Sequence, residues 1–390
     1  MRDNFLPFSL PLIGNEEIEA VVEALRSGWL TSGPRMKQFE TEFCQAVHAP
    51  SALALNSCTA GLHLALKVLN IGPGDEVITT PMTFAASVNV IEHTGATPVL
   101  VDVEPDTLNL QPDAVEQAIT PQTRAIIAVH YAGHPAELIA LRAIAEQYNL
   151  HLIEDAAHAI GAAFDGQPIG SGENLTAFSF YATKNLTTGE GGMLTGSSEL
   201  LDRARVLGLH GMNREAWSRY AAGGKWAYDI VEPGFKYNMT DVQAAIGLAQ
   251  LNRFDRMQAR RHEIVQAYNK AFGSHSTFLI PTTRAHVTHA WHLYVLRLRP
   301  AELSINRNQF IDEMTARRIG TSVHFIPIHM HSYYRDKYNF HPDDFPVAHT
   351  AFQNMLSLPL SPSMSDQDVA DVIDAVLDIR QKFARRRIAA

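Results

Sequence analysis

Cysteine is almost missing from this chain of 390 residues. Cys44 and Cys58 are the only two, and their spacing matches neither a metal-ligand nor a redox motif. A reducing compartment follows as the simplest inference, so the expected location is cytoplasmic. Basic charge is also short. The formal net charge of -9 argues against a general binder of nucleic acid. It leaves an anionic small-molecule ligand open, because a local site can be positive on an acidic protein. The one tight basic cluster, Arg385-Arg386-Arg387, follows a helical pattern and reads as favourable charge at a helix C-terminus. No apolar run is long enough to cross a bilayer. Nothing near Met1 joins a basic segment to an apolar core, so no signal peptide is expected. Internal repeats, low-complexity tracts and flexible linkers are lacking too.

What is present is ample apolar material, 46% of residues, beside 19% charged ones, the balance of a soluble globular protein. The length suits one large domain and a smaller one. From about position 50, short apolar runs alternate with stretches of helical period. Strands are expected at 52–56, 76–80, 97–103, 125–131, 151–155, 178–183 and 192–195, with helices at 60–69, 112–119 and 137–148 among them. Many of the strands are apolar on both faces, as strands covered by helices on each side are. The alternation implies a largely parallel, helix-sandwiched sheet of seven strands. After Tyr237 the pattern changes. Positions 240–272 read as one long helix, interrupted only by Gly247. Strand-like runs follow at 291–298 and 321–328, and Ser365-Asp366-Gln367-Asp368 is an acidic variant of a capping box opening the last helix. The expected organisation is an α/β large domain with an N-terminal segment over 1–250, and a smaller α+β domain over 251–390.

Ligands of open α/β sheets collect beyond the carboxyl ends of the strands, and four such ends carry suggestive groups. Ser57-Cys58-Thr59-Ala60-Gly61 opens a helix with small and hydroxyl residues. It reads either as a phosphate-binding turn or as a plain serine cap. Phe84, in Pro81-Met82-Thr83-Phe84, would stack on a flat ring or pack into the core. Asp155, in Glu154-Asp155-Ala156-Ala157-His158, needs a cation or donors if buried. A protonated pyridine nitrogen or a structural salt bridge would serve, and Ala156 and Ala157 leave room for a ring. Lys184 leaves an apolar strand just before the glycine-rich Gly189-Glu190-Gly191-Gly192. It is either a nucleophile and base or a lysine reaching solvent. No one of these decides the matter. Together they supply a phosphate cradle, a ring stack, a pyridinium partner and a Schiff-base lysine on successive strands.

The sequence resembles the nucleotide-sugar aminotransferases of the DegT/DnrJ type, within the aspartate-aminotransferase-like (fold type I) pyridoxal-phosphate enzymes. The likeness runs through nearly the whole chain. It rests on Ser27-Gly28-Trp29-Leu30-Thr31-Ser32-Gly33-Pro34, Asn56-Ser57-Cys58-Thr59-Ala60-Gly61-Leu62, Gly74-Asp75-Glu76-Val77-Ile78, Val129-His130-Tyr131-Ala132-Gly133 and Glu154-Asp155-Ala156-Ala157-His158. Phe235-Lys236-Tyr237-Asn238 and Ser357-Leu358-Pro359-Leu360 complete it. The resemblance implies pyridoxal 5'-phosphate as cofactor, carried by Lys184 as a Schiff base, with Asp155 on the ring nitrogen and Phe84 stacked on the ring. Thr59, Ala60 and Ser179 would bind the phosphate within a cofactor site that also takes in Ser57, Cys58 and Ala157. His158 would lie near the phenolic oxygen and the transferred amine. Asn238 would reach the phosphate of a neighbouring subunit, making the active unit a homodimer.

The implied reaction moves an amino group from L-glutamate to a nucleotide-linked keto sugar in two half-reactions, with Lys184 as proton shuttle. Related dehydratases carry histidine at the lysine position, so Lys184 favours transamination over deoxygenation; a non-enzymatic binder would be expected to lose Lys184 or Asp155. His130-Tyr131-Ala132-Gly133, Asp155-Ala156-Ala157-His158 and His289-Ala290-Trp291-His292 look like the 4-aminotransferases of UDP sugars, most of all those making UDP-4-amino-4-deoxy-arabinose for lipid A. Those enzymes have tryptophan where Phe84 stands. UDP-4-keto pentoses, 4-keto-6-deoxy hexoses and 3-keto sugars therefore remain open. His324, His329 and His331 cluster with Tyr333 and Tyr334. No carboxylate or cysteine completes a metal site there, packing comes first, and the family suggests substrate contacts at His324 or His329, with Thr31 as a third.

Overall fold

The computed structural model describes residues 2–213 and 227–385. Seven strands make the main sheet: β1 (Ala52–Leu55), β2 (Glu76–Thr79), β3 (Thr97–Leu100), β4 (Thr123–Val129) and β5 (His151–Asp155), then, after a small hairpin of β6 (Ala163–Phe164) and β7 (Gln167–Pro168), β8 (Leu175–Ser179) and β9 (Gly192–Thr195). Their order is β1-β9-β8-β5-β4-β2-β3. Neighbours from β3 through β8 run parallel, and β9 runs antiparallel to both β1 and β8. The expected seven-stranded, mostly parallel α/β sheet is therefore present.

Successive side chains of a strand point to opposite faces, and here both faces are dry. Ala52, Ala54, Ile126, Ala128, Phe178 and Met193 join one core with Phe39 and Phe43 of helix Pro34–Val47 and Leu141 of helix Leu138–Gln147. Leu53, Leu55, Ala125, Ile127, Ala177 and Leu194 join the other, beneath helices Cys58–Val68 and Ser198–Leu207. Burial on both sides is why these strands read as continuous apolar runs rather than alternating ones.

Some expected boundaries move. The strand expected at 178–183 lies three residues earlier, at Leu175–Ser179, because the chain turns away after Ser179: Phe180 donates its amide to Gly191 O at 2.9 Å and accepts from Thr188 N at 2.9 Å. The strand at 97–103 ends at Leu100, and the one at 125–131 spans Thr123–Val129. The long helix at 240–272 is two, Asp241–Asn252 and Phe254–Phe272, broken at Arg253. The Arg253 guanidinium is held there by Leu12 O at 2.7 Å and by Glu16 at 3.1 Å. Gly247 does not break the helix; it lets the helix lie against Phe39, whose Cζ would be 2.6 Å from an added Cβ.

The second sheet joins β10 (Phe278–Leu279), β12 (Tyr294–Leu298) and β13 (Met355–Leu358), while β11 (Val287–Thr288) extends the β6–β7 hairpin. Tyr294, Leu296 and Leu358 share a separate core with helix Phe254–Phe272, helix Asp366–Phe383 and, from the far end of the chain, Leu6. The capping box is formed: Ser365 Oγ accepts from Asp368 N at 3.1 Å, and Asp368 accepts from Ser365 N at 2.9 Å. The run at 321–328 is not a strand. It makes one bridge, Ser322 to Ser357, and otherwise passes irregularly toward the end of the main sheet. Of the basic tail, Arg385 donates to Leu303 O at 2.7 Å, and Arg386 and Arg387 lie outside the described residues. No described helix is long and apolar enough to cross a membrane.

Candidate active site

The carboxyl ends of β1, β2, β5 and β8 open on one cavity of about 490 Å³. Its wall includes Ser57, Cys58, Thr59, Phe84 and Asp155, and also Ala157, His158, Ser179, Lys184 and His324. Ten of the residues expected from the sequence are thus brought together. Ala60 faces elsewhere, its amide taken by Ser57 Oγ at 3.1 Å, so the serine is a true helix cap as well as part of the cavity wall. Thr31 and Asn238 lie off this wall but close to each other: Asn238 Nδ2 donates to Ser32 Oγ at 2.8 Å. His329 is also off the wall, packed against Phe345 with ring centroids 4.7 Å apart.

Strand alternation sorts the two adjacent carboxylates. Glu154 points through the sheet, where His130 Nε2 and Asn174 Nδ2 each lie 3.1 Å from it. Burial would raise its pKa, but these partners and Arg142 outweigh that and hold it low. Asp155 points into the cavity. Only 5% exposed, it accepts from Ser87 Oγ at 2.6 Å and from Ala157 N at 3.1 Å. Among the described residues it forms no ion pair. The salt-bridge reading belongs to Glu154, and Asp155 is left as a buried carboxylate served by neutral donors alone.

Lys184 sits in a closed loop. Thr188 N and Thr187 Oγ1 both return to Phe180 O, at 2.9 and 3.1 Å, and Lys184 N bonds Tyr181 O at 2.9 Å. Asn185 then anchors the loop by donating to Ala290 O at 2.7 Å. The Lys184 side chain reaches the cavity surrounded by protein. Burial pushes its ammonium down to about 8, against the opposing influence of Cys58 and Asp155. This is not a lysine whose head is in open solvent.

The cavity has members that motif reading passed over. His292 lies with its ring centroid 4.3 Å from that of His158, and its Nδ1 is 3.1 Å from Asn185 Oδ1. Phe325 stacks on His158 at 5.8 Å and tilts against Phe84 at 6.2 Å. His292 stood in a quoted motif without a role; Phe325 gave no signal, because it sits in the run read as a strand. Burial, reinforced by Lys184, holds His158, His292 and His324 neutral. Among the described residues, His158 Nδ1 is buried without a hydrogen-bond partner.

Pyridoxal phosphate can be tested against these groups. It needs an anion for its ring nitrogen, an amine of depressed pKa, hydroxyls for its phosphate and a flat slot. The unpaired Asp155, the Lys184 amine, Ser57, Thr59 and Ser179, and the space between Phe84 and Ala157 meet those needs, with His158 Nδ1 still short of a partner. The residues fit the cofactor.

Comparison with known proteins gives the same answer. The model of the DegT/DnrJ/EryC1/StrS aminotransferase family matches residues 11–377. This chain belongs to that family. The enzyme class and the pyridoxal phosphate expected from the sequence stand with it. The aminotransferase is 52% identical over 380 residues to the spore coat polysaccharide biosynthesis protein SpsC of Bacillus subtilis, covering 97% of this chain and 98% of that one. Spr1654 of Streptococcus pneumoniae, in its PMP form, is 37% identical with a TM-score of 0.90, over 97% of this chain and 99% of its own; its PLP form is solved too. PseC of Helicobacter pylori, an aminotransferase involved in the biosynthesis of pseudoaminic acid, is 27% identical with a TM-score of 0.89, over 98% of this chain and 100% of its own.

Proposed function

We propose that this aminotransferase moves the amino group of L-glutamate to C4 of a UDP-linked 4-keto sugar in a cytoplasmic surface-glycan pathway. The observation that carries the catalytic part is the pairing, in one cavity, of a lysine whose pKa burial lowers to about 8 with a buried carboxylate that has no ion pair among the described residues. The relation to a spore coat polysaccharide protein and to a pseudoaminic acid aminotransferase supports a sugar acceptor. The two free cysteines suit a reducing cytoplasm. The 4-keto position and the UDP group rest on the sequence likeness alone.

When bound, the cofactor supplies an electron-withdrawing ring that takes up carbanion charge. The protein does the rest. Asp155 holds a proton on the ring nitrogen. Ser57, Cys58 and Thr59, together with Ser179, would receive the phosphate, and Phe84 and Ala157 would hold the ring between them. Lys184 carries the cofactor between turnovers and, once released, accepts and returns a proton at Nζ. His158, neutral and short of one partner, orients the phenolic oxygen. His324 faces the acceptor, its Nδ1 tied to Ser357 Oγ at 2.9 Å. Asn238 and Thr31, outside their own cavity, would serve a second copy's site. On this reading the working unit is a homodimer, and each chain divides near residue 250.

The test is direct. Purified protein loaded with pyridoxal phosphate turns yellow and bleaches on adding glutamate, and Lys184→Ala loses that aldehyde-linked absorbance. A panel of UDP- and dTDP-keto sugars with glutamate is then followed by mass spectrometry and by NMR of the product. Amination of a 3-keto or dTDP sugar alone would overturn the proposed acceptor; protein that stays colourless would overturn the lysine's role.

A further inference from the structure

Asp155 is not alone beneath the cavity. Ser87, on the first turn of helix Ala86–Thr94, is fully buried and sits 2.6 Å from Asp155 Oδ2. Thr83 Oγ1, 3% exposed and on the cavity wall beside Phe84, is 2.7 Å from Ser87 Oγ. The proton count orders this chain. An ionised carboxylate can only accept, so the single Ser87 proton goes to Asp155, and Ser87 Oγ must then accept the proton of Thr83. The 2.6 Å spacing is that of a hydroxyl on a charged oxygen. Asp155 Oδ1 takes the Ala157 amide, so both carboxylate oxygens face fixed donors. The titratable groups facing Asp155 are Cys58, on the helix after β1, and Lys184, on the loop after β8.

We infer that Thr83 and Ser87 form a directed hydroxyl relay that holds the Asp155 carboxylate aimed into the cavity, so that the proton it shares with the cofactor stays on the ring nitrogen. This rests on the proposed pairing of Asp155 with that nitrogen. Ser87 does not line the cavity; it is a positioning residue acting through Asp155. Donors to a carboxylate make it a weaker base. Removing one lets the carboxylate draw the shared proton toward itself and weakens electron withdrawal by the ring.

The experiment loads wild-type protein and variants with pyridoxal phosphate labelled with 15N in the ring, and reads the nitrogen resonance at one pH near 7.5. Wild type is expected at the pyridinium position. Ser87→Ala should move toward neutral pyridine, with kcat down about tenfold, the size of one hydrogen bond to a charged group, and KM for glutamate within about twofold. Ser87→Thr keeps the hydroxyl and should restore both. Thr83→Val, which leaves Ser87 in place, should move the resonance less and in the same direction; it carries the test if Ser87→Ala does not fold. A resonance unmoved in these variants overturns the relay. Asp155→Ala separates the two layers. If it shifts the resonance while Ser87→Ala does not, only the relay fails; if it too leaves the resonance in place, the pairing with Asp155 fails.

Discussion

At the scale of single residues, the site works by placing charge where protein has displaced much of the water. Lys184 shows the consequence most directly. With its pKa lowered by burial to about 8, about one amine in ten is unprotonated at pH 7, against about one in three thousand for an ordinary lysine. Only the unprotonated amine can attack an aldehyde. Capture of pyridoxal phosphate by the cofactor-free enzyme should therefore accelerate about tenfold per pH unit below pH 8 and level off above it. Stopped-flow absorbance checks this, and a rate still climbing steeply at pH 9 would mean that the cavity does not depress the lysine. Phe84 makes a second point at this scale. It is 65% exposed in the single chain, so the core-packing reading does not hold, and its ring is free to face a ligand.

At the scale of elements, the site is built where β9, the antiparallel strand of the main sheet, begins. Gly192 pairs with Leu55 of β1 on one side and Ser179 of β8 on the other. A Cβ there would lie 2.4 Å from Ser57 C and 2.5 Å from Cys58 N, both backbone atoms that cannot swing aside. Gly192→Ala should push the Ser57–Cys58 turn outward, lowering pyridoxal phosphate affinity about tenfold or more and costing about 1–3 kcal/mol of stability. Equilibrium titration and thermal unfolding measure the two, and unchanged affinity would disconnect β9 from the phosphate cradle. Much of this architecture was legible in the sequence, because strands buried on both faces write plain apolar runs and their polar terminal residues stand out. Asp155 was visible for that reason; Ser57 and Lys184 follow such runs in sequence, although Lys184 lies on the loop after β8. The limits were equally physical. Apolar period alone could not tell that β8 stops at Ser179, since Phe180 is as buried as Phe178 while its backbone bonds belong to the lysine loop. Nor could it show that residues 321–328 bring Phe325 over His158, or that Ser87 meets Asp155 from 68 positions away. Contacts of that kind depend on how helices settle on a sheet.

At the scale of the whole molecule, the acidic composition hides an unusual load of neutral imidazole. Burial, the largest cause in each case, lowers His63, His324 and His329 to about 4, and takes His158, His289 and His292 well below the ordinary value of 6.5. In the unfolded chain all six take up a proton as pH falls through about 6.5. In the folded chain His63, His324 and His329 do so only near pH 4, and His158, His289 and His292 only well below their ordinary value. Between those limits the unfolded state binds more protons, so folding stability is fully present above about pH 7 and falls as the pH drops toward 4. His329 is the sharpest probe of this slope. Both of its ring nitrogens are buried without hydrogen-bond partners among the described residues, and it packs on Phe345 away from the cavity. His329→Met should remove one proton-uptake site and two unsatisfied polar atoms at once, giving a thermal midpoint at pH 5 at or above wild type and a shallower pH dependence. If His329 is packing alone, KM for the sugar stays unchanged; if it touches substrate, as the family likeness suggests, KM rises while the gain at pH 5 remains. Thermal melts across pH 4.5–7.5 beside steady-state kinetics at pH 7.5 read the two outcomes separately. The same side chain thus decides whether the acid lability of this fold and its choice of sugar share a residue.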